Sequence, residues 1–155
     1  MTLEDLGNIG EAVSGIAVIV TIVYLAIQIR QNTKAVRTAA FQQVVDSFAE
    51  FSASLSHDRE LVQIVINGNR DYDALNELDR GRYDLAMRSF LRRSENVFFQ
   101  SEQGTLQAET WAGIRESLGS LFHAPGFQSW WKPRARFFNR TFRDFLQRSF
   151  LEGGG

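Results

Sequence analysis

Two histidines and one row of charged side chains are the residues of this chain best placed to do chemistry, and they offer little of it. His57 and His123 are the only histidines, and neither stands in an H-E-x-x-H or H-x-x-x-H pattern that would set two imidazoles on one helix face for a metal. Each falls where a helix is expected to end, a place where a lone imidazole caps a carbonyl or faces solvent. No cysteine occurs in the 155 residues, which excludes a thiol nucleophile, a Cys-ligated zinc, an iron–sulfur cluster and a disulfide framework. The nearest approach to a polar site is Arg88, Arg92, Glu95, Asn96 and Glu102, on adjoining turns of one helix. A Glu95 buried beside Phe98 and Phe99 would hold its proton more tightly and could serve as an acid. An ion pair that fixes helix register accounts for the same residues without chemistry. There is no P-loop, no G-x-G-x-x-G after a strand and no G-x-S-x-G elbow. The expectation is a protein that is not an enzyme and needs neither cofactor nor metal.

The elements that must position everything else begin with Ala12 to Ile29, AVSGIAVIVTIVYLAIQI, which carries no charged residue and is bounded by Glu11 and Arg30. As a helix this run is about 27 Å long at ~1.5 Å per residue, close to the ~30 Å hydrocarbon core of a bilayer. A buried core helix would normally be shorter or show a polar face, whereas apolar side chains here point nearly all round. A cleaved secretory signal fits less well, because Glu4, Asp5 and Glu11 replace the usual basic residues and no small-x-small site follows. With Arg30, Lys34 and Arg37 after the run and only acids before it, the positive-inside rule puts the N-terminus outside and the rest of the chain in the cytoplasm.

Ser14, Thr21 and Gln28 are the clearly polar side chains of the run and stand seven residues apart. Extended by the positions three later, the register reads Gly7, Gly10, Ser14, Ala17, Thr21, Tyr24, Gln28 and Gln31. Lipid gives apolar side chains no drive to associate, so spanning helices meet through small residues and interhelical hydrogen bonds. A sustained heptad implies a left-handed pairing of helices. The expected partner is a second copy of the chain within the lipid bilayer, forming a homo-oligomer that scaffolds or senses. A plainer account has Ser and Thr bonding to carbonyls one turn back and Gln28 reaching the interface. A sharper one has four or more copies surround a pore lined by Ser14, Thr21 and Gln28, with Glu11 as an acidic ring at the outer mouth.

Beyond the run, residues Arg30 to Leu55 contain neither Pro nor Gly, so one long helix should leave the membrane. Ser56-His57-Asp58 reads as a stop and an N-cap, and a short helix should then end with Gly68 at C′. Further helices are expected from about Asn76 to Gln103, from about Ala108 to Phe122, in a short turn after Pro125 that Pro133 interrupts, and from Asn139 through Phe150. No segment alternates like a strand. The fold class is therefore all-α: residues 1–11 outside, 12–29 spanning, 30–150 a cytoplasmic helical bundle, and 151–155, with their three glycines, an appended linker.

Net charge is -1, from 17 Lys and Arg against 18 Asp and Glu, which argues against a dedicated nucleic-acid partner. The last helices are locally basic, with Lys132, Arg134, Arg136, Arg140 and Arg143 interleaved with Trp130, Trp131, Phe137, Phe138, Phe142 and Phe145. Beside a bilayer such a segment would be drawn to anionic lipid headgroups, at about 1 kcal/mol per basic residue near the surface. Alternatively the rings face the bundle core and the arginines face water. RNA is a weaker alternative for the same segment.

The stretch LGNIGEAVSGIAVIVTIVYLAIQIRQNTKAVRTAAFQQVVDSF resembles the N-terminal part of a group of short bacterial membrane proteins, with a Gly-Glu, an apolar run, a YLAIQIRQNT-like exit and a helical domain. AMRSF, Phe98-Phe99, Trp111 and APGFQSWW are similar to that group as well. The resemblance covers most of residues 5–150 and implies a bacterial inner-membrane protein of helical fold. It brings no catalytic residues. Pro133 departs from the continuous charged helix expected there.

Overall fold

The structure, a computed structural model, describes residues 3–151, with side chains from residue 13 onward. Among the described residues there is no strand, and the architecture is all-α. Helix α1 runs unbroken from Leu3 to Ser56, as a stretch free of proline allows. The chain divides into two compact units, one ending at Ala39 and the other starting at Ala40.

The first unit is α1 up to Ala39. From residue 13 to residue 39 every side chain is exposed, including Ile16, Ile19, Val20 and Ile22, each at 60% or more. The sequence places the start of the helical domain at Arg30, but the compact unit starts at Ala40. The intervening RQNTKAVRTA is mainly polar and presents almost nothing to bury, and from residue 13 onward Ala40 and Val44 are the first side chains of α1 to be covered.

In the second unit the remainder of α1 is followed by α2 (Arg59–Arg70), α3 (Glu77–Glu102), α4 (Ala108–Phe122), α5 (Pro125–Arg134) and α6 (Arg140–Leu146). The caps are local and legible. Asp58 accepts the N–H of Leu61 at 2.9 Å, Asn76 that of Asp79 at 2.9 Å, and Asn139 that of Thr141 at 2.9 Å, each satisfying an orphan donor of the first turn. Pro125 opens α5, where its missing N–H costs nothing. Gly104, at φ +68°, ends α3.

Three boundaries differ from the sequence reading. Gly68 does not terminate α2, which continues to Arg70 and closes on an extended Asp71. Gly68 is instead a packing glycine: a Cβ there would overlap the Tyr83 ring, and a Cβ on Gly126 would overlap the Gly68 carbonyl. The two glycines let α2, α3 and α5 meet closely. Pro133 does not interrupt its helix but lies inside α5, where it forfeits a single hydrogen bond close to the helix end. The chain then tightens into a 3-10 turn, Ala135–Phe137. The last helix does not continue regularly to Phe150, because α6 ends at Leu146 and widens into a π turn over Gln147–Leu151.

The core of this unit is aromatic and centred on α5. Phe127 and Trp130 are fully buried, as are Tyr83, Phe142, Leu91, Leu118 and Leu146. Rings meet at centroid separations of 5.0 Å for Phe122–Phe127, 5.3 Å for Phe127–Trp130 and 5.2 Å for Trp131–Phe138, each such pair being worth about 0.5–1.5 kcal/mol beyond its buried area. A smaller cluster of Val44, Val97 and Leu106 joins the end of α1 to α3 and the turn after it.

Candidate functional site

The heptad register along α1 is the first candidate. Ser14, Ala17, Thr21, Tyr24, Gln28 and Gln31 are all exposed, and in a straight helix positions seven apart drift by only about 20°, so they form one stripe. The side chains of Gly7, Gly10 and Glu11 lie outside the described residues. Within the stripe, the Thr21 hydroxyl donates to the Ala17 carbonyl at 2.8 Å and the Gln28 amide donates to the Tyr24 hydroxyl at 2.6 Å. Both bonds join residues of the stripe to one another. Each leaves acceptor capacity on the Thr21 and Gln28 oxygens for a facing helix.

The basic segment near the C-terminus is the second candidate, and its members part company. Arg134 belongs to the interior. Its Nε pairs with Asp84, its Nη2 donates to the Tyr72 hydroxyl at 2.8 Å, and its guanidinium lies over the Tyr72 and Trp130 rings. That side chain is committed to docking α5 on α3 and is not presented to a lipid headgroup. Lys132, Arg136 and Arg140 are exposed. Arg140 approaches Asp144 only at 3.7 Å and Arg143 only at 4.0 Å, distances at which a surface pair contributes little. Of the interleaved rings, Trp130, Trp131, Phe138 and Phe142 are buried, Phe145 is partly buried and Phe137 is half exposed. The rings therefore serve the core, and the segment offers charge rather than aromatic insertion.

Asp84 is a junction that the sequence reading did not single out. Its carboxylate accepts from Trp130 Nε1 at 2.7 Å and forms ion pairs with Arg88, whose Nε lies at 2.8 Å, and with Arg134. One buried indole and two guanidiniums thus share one anion, the charge-assisted kind of contact that holds elements in register. The i,i+4 spacing of Asp84 and Arg88 was the available signal. Around it, the Tyr83 hydroxyl donates to Asn69 at 2.7 Å, and burial, with Tyr72 adding to it, pushes the Tyr83 phenol well above its ordinary range.

Glu95, at 8% exposure, is a structural carboxylate. It pairs with Arg92 at 2.6 Å and accepts the backbone N–H of Asn139 at 2.6 Å, while Arg92 also donates to the Phe137 carbonyl at 2.7 Å. Both oxygens are occupied in fixing the entry to α6. Arg88 pairs with Asp84 and not with Glu95. His57 and His123 each hold Nδ1 at 2.6 Å from the carbonyl four residues earlier, Ala53 and Gly119, the capping geometry expected of them. Asp58 is held below its ordinary carboxylate range, first by the Leu61 N–H and then by Arg82, and Arg82 spans Asp58 and Glu60 at 2.6 Å each.

No family model, curated protein or solved structure matches this chain.

Proposed function

We propose that the chain is a single-pass membrane protein that associates with copies of itself through the Gly7 to Gln31 stripe, with its N-terminus outside and its helical domain in the cytoplasm of a bacterial cell. The observation that carries this reading is the stretch from Val13 to Ile29, apolar nearly all round and exposed at every side chain. In water such a surface is costly at ~25 cal/mol per Å²; in hydrocarbon it costs nothing. Lipid contact then leaves the polar stripe as the face with something to gain from a second helix.

Because the chain has no native cysteine, single cysteines report helix contacts cleanly. In native membranes, Ser14→Cys and Thr21→Cys should oxidise to disulfide-linked dimers far faster than Ile19→Cys, which lies on the opposite side of α1. Equal rates at all three positions would mean random collision and would remove the stripe as an interface. A pore lined by Ser14, Thr21 and Gln28 is a narrower form of the same assembly. It requires a conductance that changes when Thr21 or Gln28 becomes Leu, and an unaltered or absent current removes it.

The exposed Lys132, Arg136 and Arg140 favour a second reading, in which the domain also touches anionic lipid headgroups. Reversing Arg136, Arg140 and Arg143 to Glu should then abolish binding to phosphatidylglycerol vesicles. Retained binding would remove this reading.

A further inference from the structure

A groove of about 610 Å³ opens on the second unit between α3, the end of α1 and the turn after α5, lined by Arg88, Arg92, Arg93, Ser89, Asn96 and Phe137 among others. Three guanidiniums face it and no carboxylate does. The two acids that pair with these arginines, Asp84 and Glu95, sit behind them with side chains only 18% and 10% exposed. Asp46 and Glu50 flank Ser47 on α1 but do not line the groove, and Asp46 accepts from Gln42. The wall is thus polarised, with cations toward the opening and anions toward the core.

The donors are also incompletely used. Arg88 commits only Nε, to Asp84, and its guanidinium lies 5.3 Å from the Phe137 ring centre. Arg93 spends Nε on the Ser47 carbonyl at 2.9 Å and Nη1 on Ser89. Among the described residues, both Nη groups of Arg88 and Nη2 of Arg93 make no hydrogen bond or ion pair, and the Arg93 guanidinium lies 5.5 Å from the Phe51 ring centre. Arg93 has no carboxylate partner either. Planar guanidiniums with free N–H pairs are matched to the oxygens of a phosphate group. At the rim stand two exposed apolar side chains, Leu85 at 71% and Phe137 at 48%.

We propose that this groove binds a phosphate monoester carrying an apolar group, the phosphate on Arg88 and Arg93 with Arg92 beside them, and the apolar part against Leu85 and Phe137. Its cations are not those of the Lys132 to Arg143 segment, with which it shares the Phe137 ring, and it does not depend on self-association. Its ligand is either a free phosphorylated molecule or the head of a lipid.

Isothermal titration of the full chain in an uncharged detergent separates these sources, using inorganic phosphate, phenyl phosphate and dihexanoyl phosphatidic acid as probes. Saturable binding at one site per chain is expected, with one of the two apolar esters tighter than inorganic phosphate, and the tighter ester identifies the source. Leu85→Glu places a like charge at the rim from an exposed position and should weaken binding at least about tenfold. Arg88→Gln should do the same, while Asp84 keeps Arg134 and Trp130 as partners. Absence of saturable binding by all three probes would overturn the proposal. So would affinity unchanged from the wild type in both variants, or loss of binding only when Arg136, Arg140 and Arg143 are reversed.

Discussion

The stretches Val13–Ile29 and Phe122–Phe138 are each seventeen residues long and rich in apolar side chains, yet they are disposed in opposite ways. Every side chain of the first is exposed, whereas the second buries Phe122, Phe127, Trp130, Trp131 and Phe138. The first is dominated by Val and Ile and has no charge on any face. The second mixes rings with Lys132, Arg134 and Arg136, and its small Gly126 lets the α2 backbone come close. Apolar content alone therefore does not decide burial. What decides it is a sided pattern, a close approach and a polar handle with a partner, here the Trp130 indole on Asp84.

This contrast predicts that the same kind of truncation has unequal effects in the two stretches. Trp130→Ala should cost the helical domain about 3–5 kcal/mol, seen as a loss of near-ultraviolet circular dichroism at a much lower denaturant concentration. Val20→Ala, in the exposed stretch, should leave that transition where it is. Equal shifts would mean that the first stretch is also part of the domain core. Gly126→Ala should cost about 1–3 kcal/mol by overpacking against Gly68, while Gly15→Ala, with open space at its Cβ, should be neutral or slightly stabilising to α1.

A smaller effect is expected from Tyr83. Its phenol is raised by burial in the folded state above an unfolded value near 10. Stability from the neutral phenol is therefore complete below about pH 10 and is lost as the pH climbs through the folded pKa. Tyr83→Phe should flatten the alkaline limb of the stability–pH curve at a cost of about 0.5–1.5 kcal/mol near neutrality, from the lost bond to Asn69. The smallest effect belongs to Asp58, held low by the Leu61 N–H and Arg82. Its contribution is present above an unfolded pKa of about 3.9 and is lost as the pH falls through the lower folded value. Asp58→Ala should lower the melting midpoint slightly at neutral pH and remove that acid limb, with no effect on extraction from membranes.

Helix identities were legible because their signals are local. Asp58 and Asn139 announce their caps, Asn76 the approximate start of its helix, Pro125 its first turn and Gly104 its stop, and α4 starts and ends where its periodicity places it. Gly68 misled because a glycine that ends a helix and one that admits a neighbour are the same letter; only the Tyr83 ring and Gly126 distinguish them. Arg134 likewise looked like one more surface cation. Its commitment depends on Asp84, fifty residues earlier in the chain, and no spacing rule reaches that far. The groove of Arg88, Arg92 and Arg93 was hidden for a related reason, since adjoining turns show the charges but not which face their carboxylate partners occupy.

The central claim is that the stripe on α1 holds copies of the chain together, and it is tested most directly by the protein mass of the detergent-solubilised particle. Light scattering, corrected for bound detergent, would be measured for the wild type and for the double variant Thr21→Leu with Gln28→Leu. Self-association through the stripe predicts an integral multiple of the 17.6 kDa chain that falls in the variant. A monomer in both, or an oligomer unchanged by the substitutions, would contradict it.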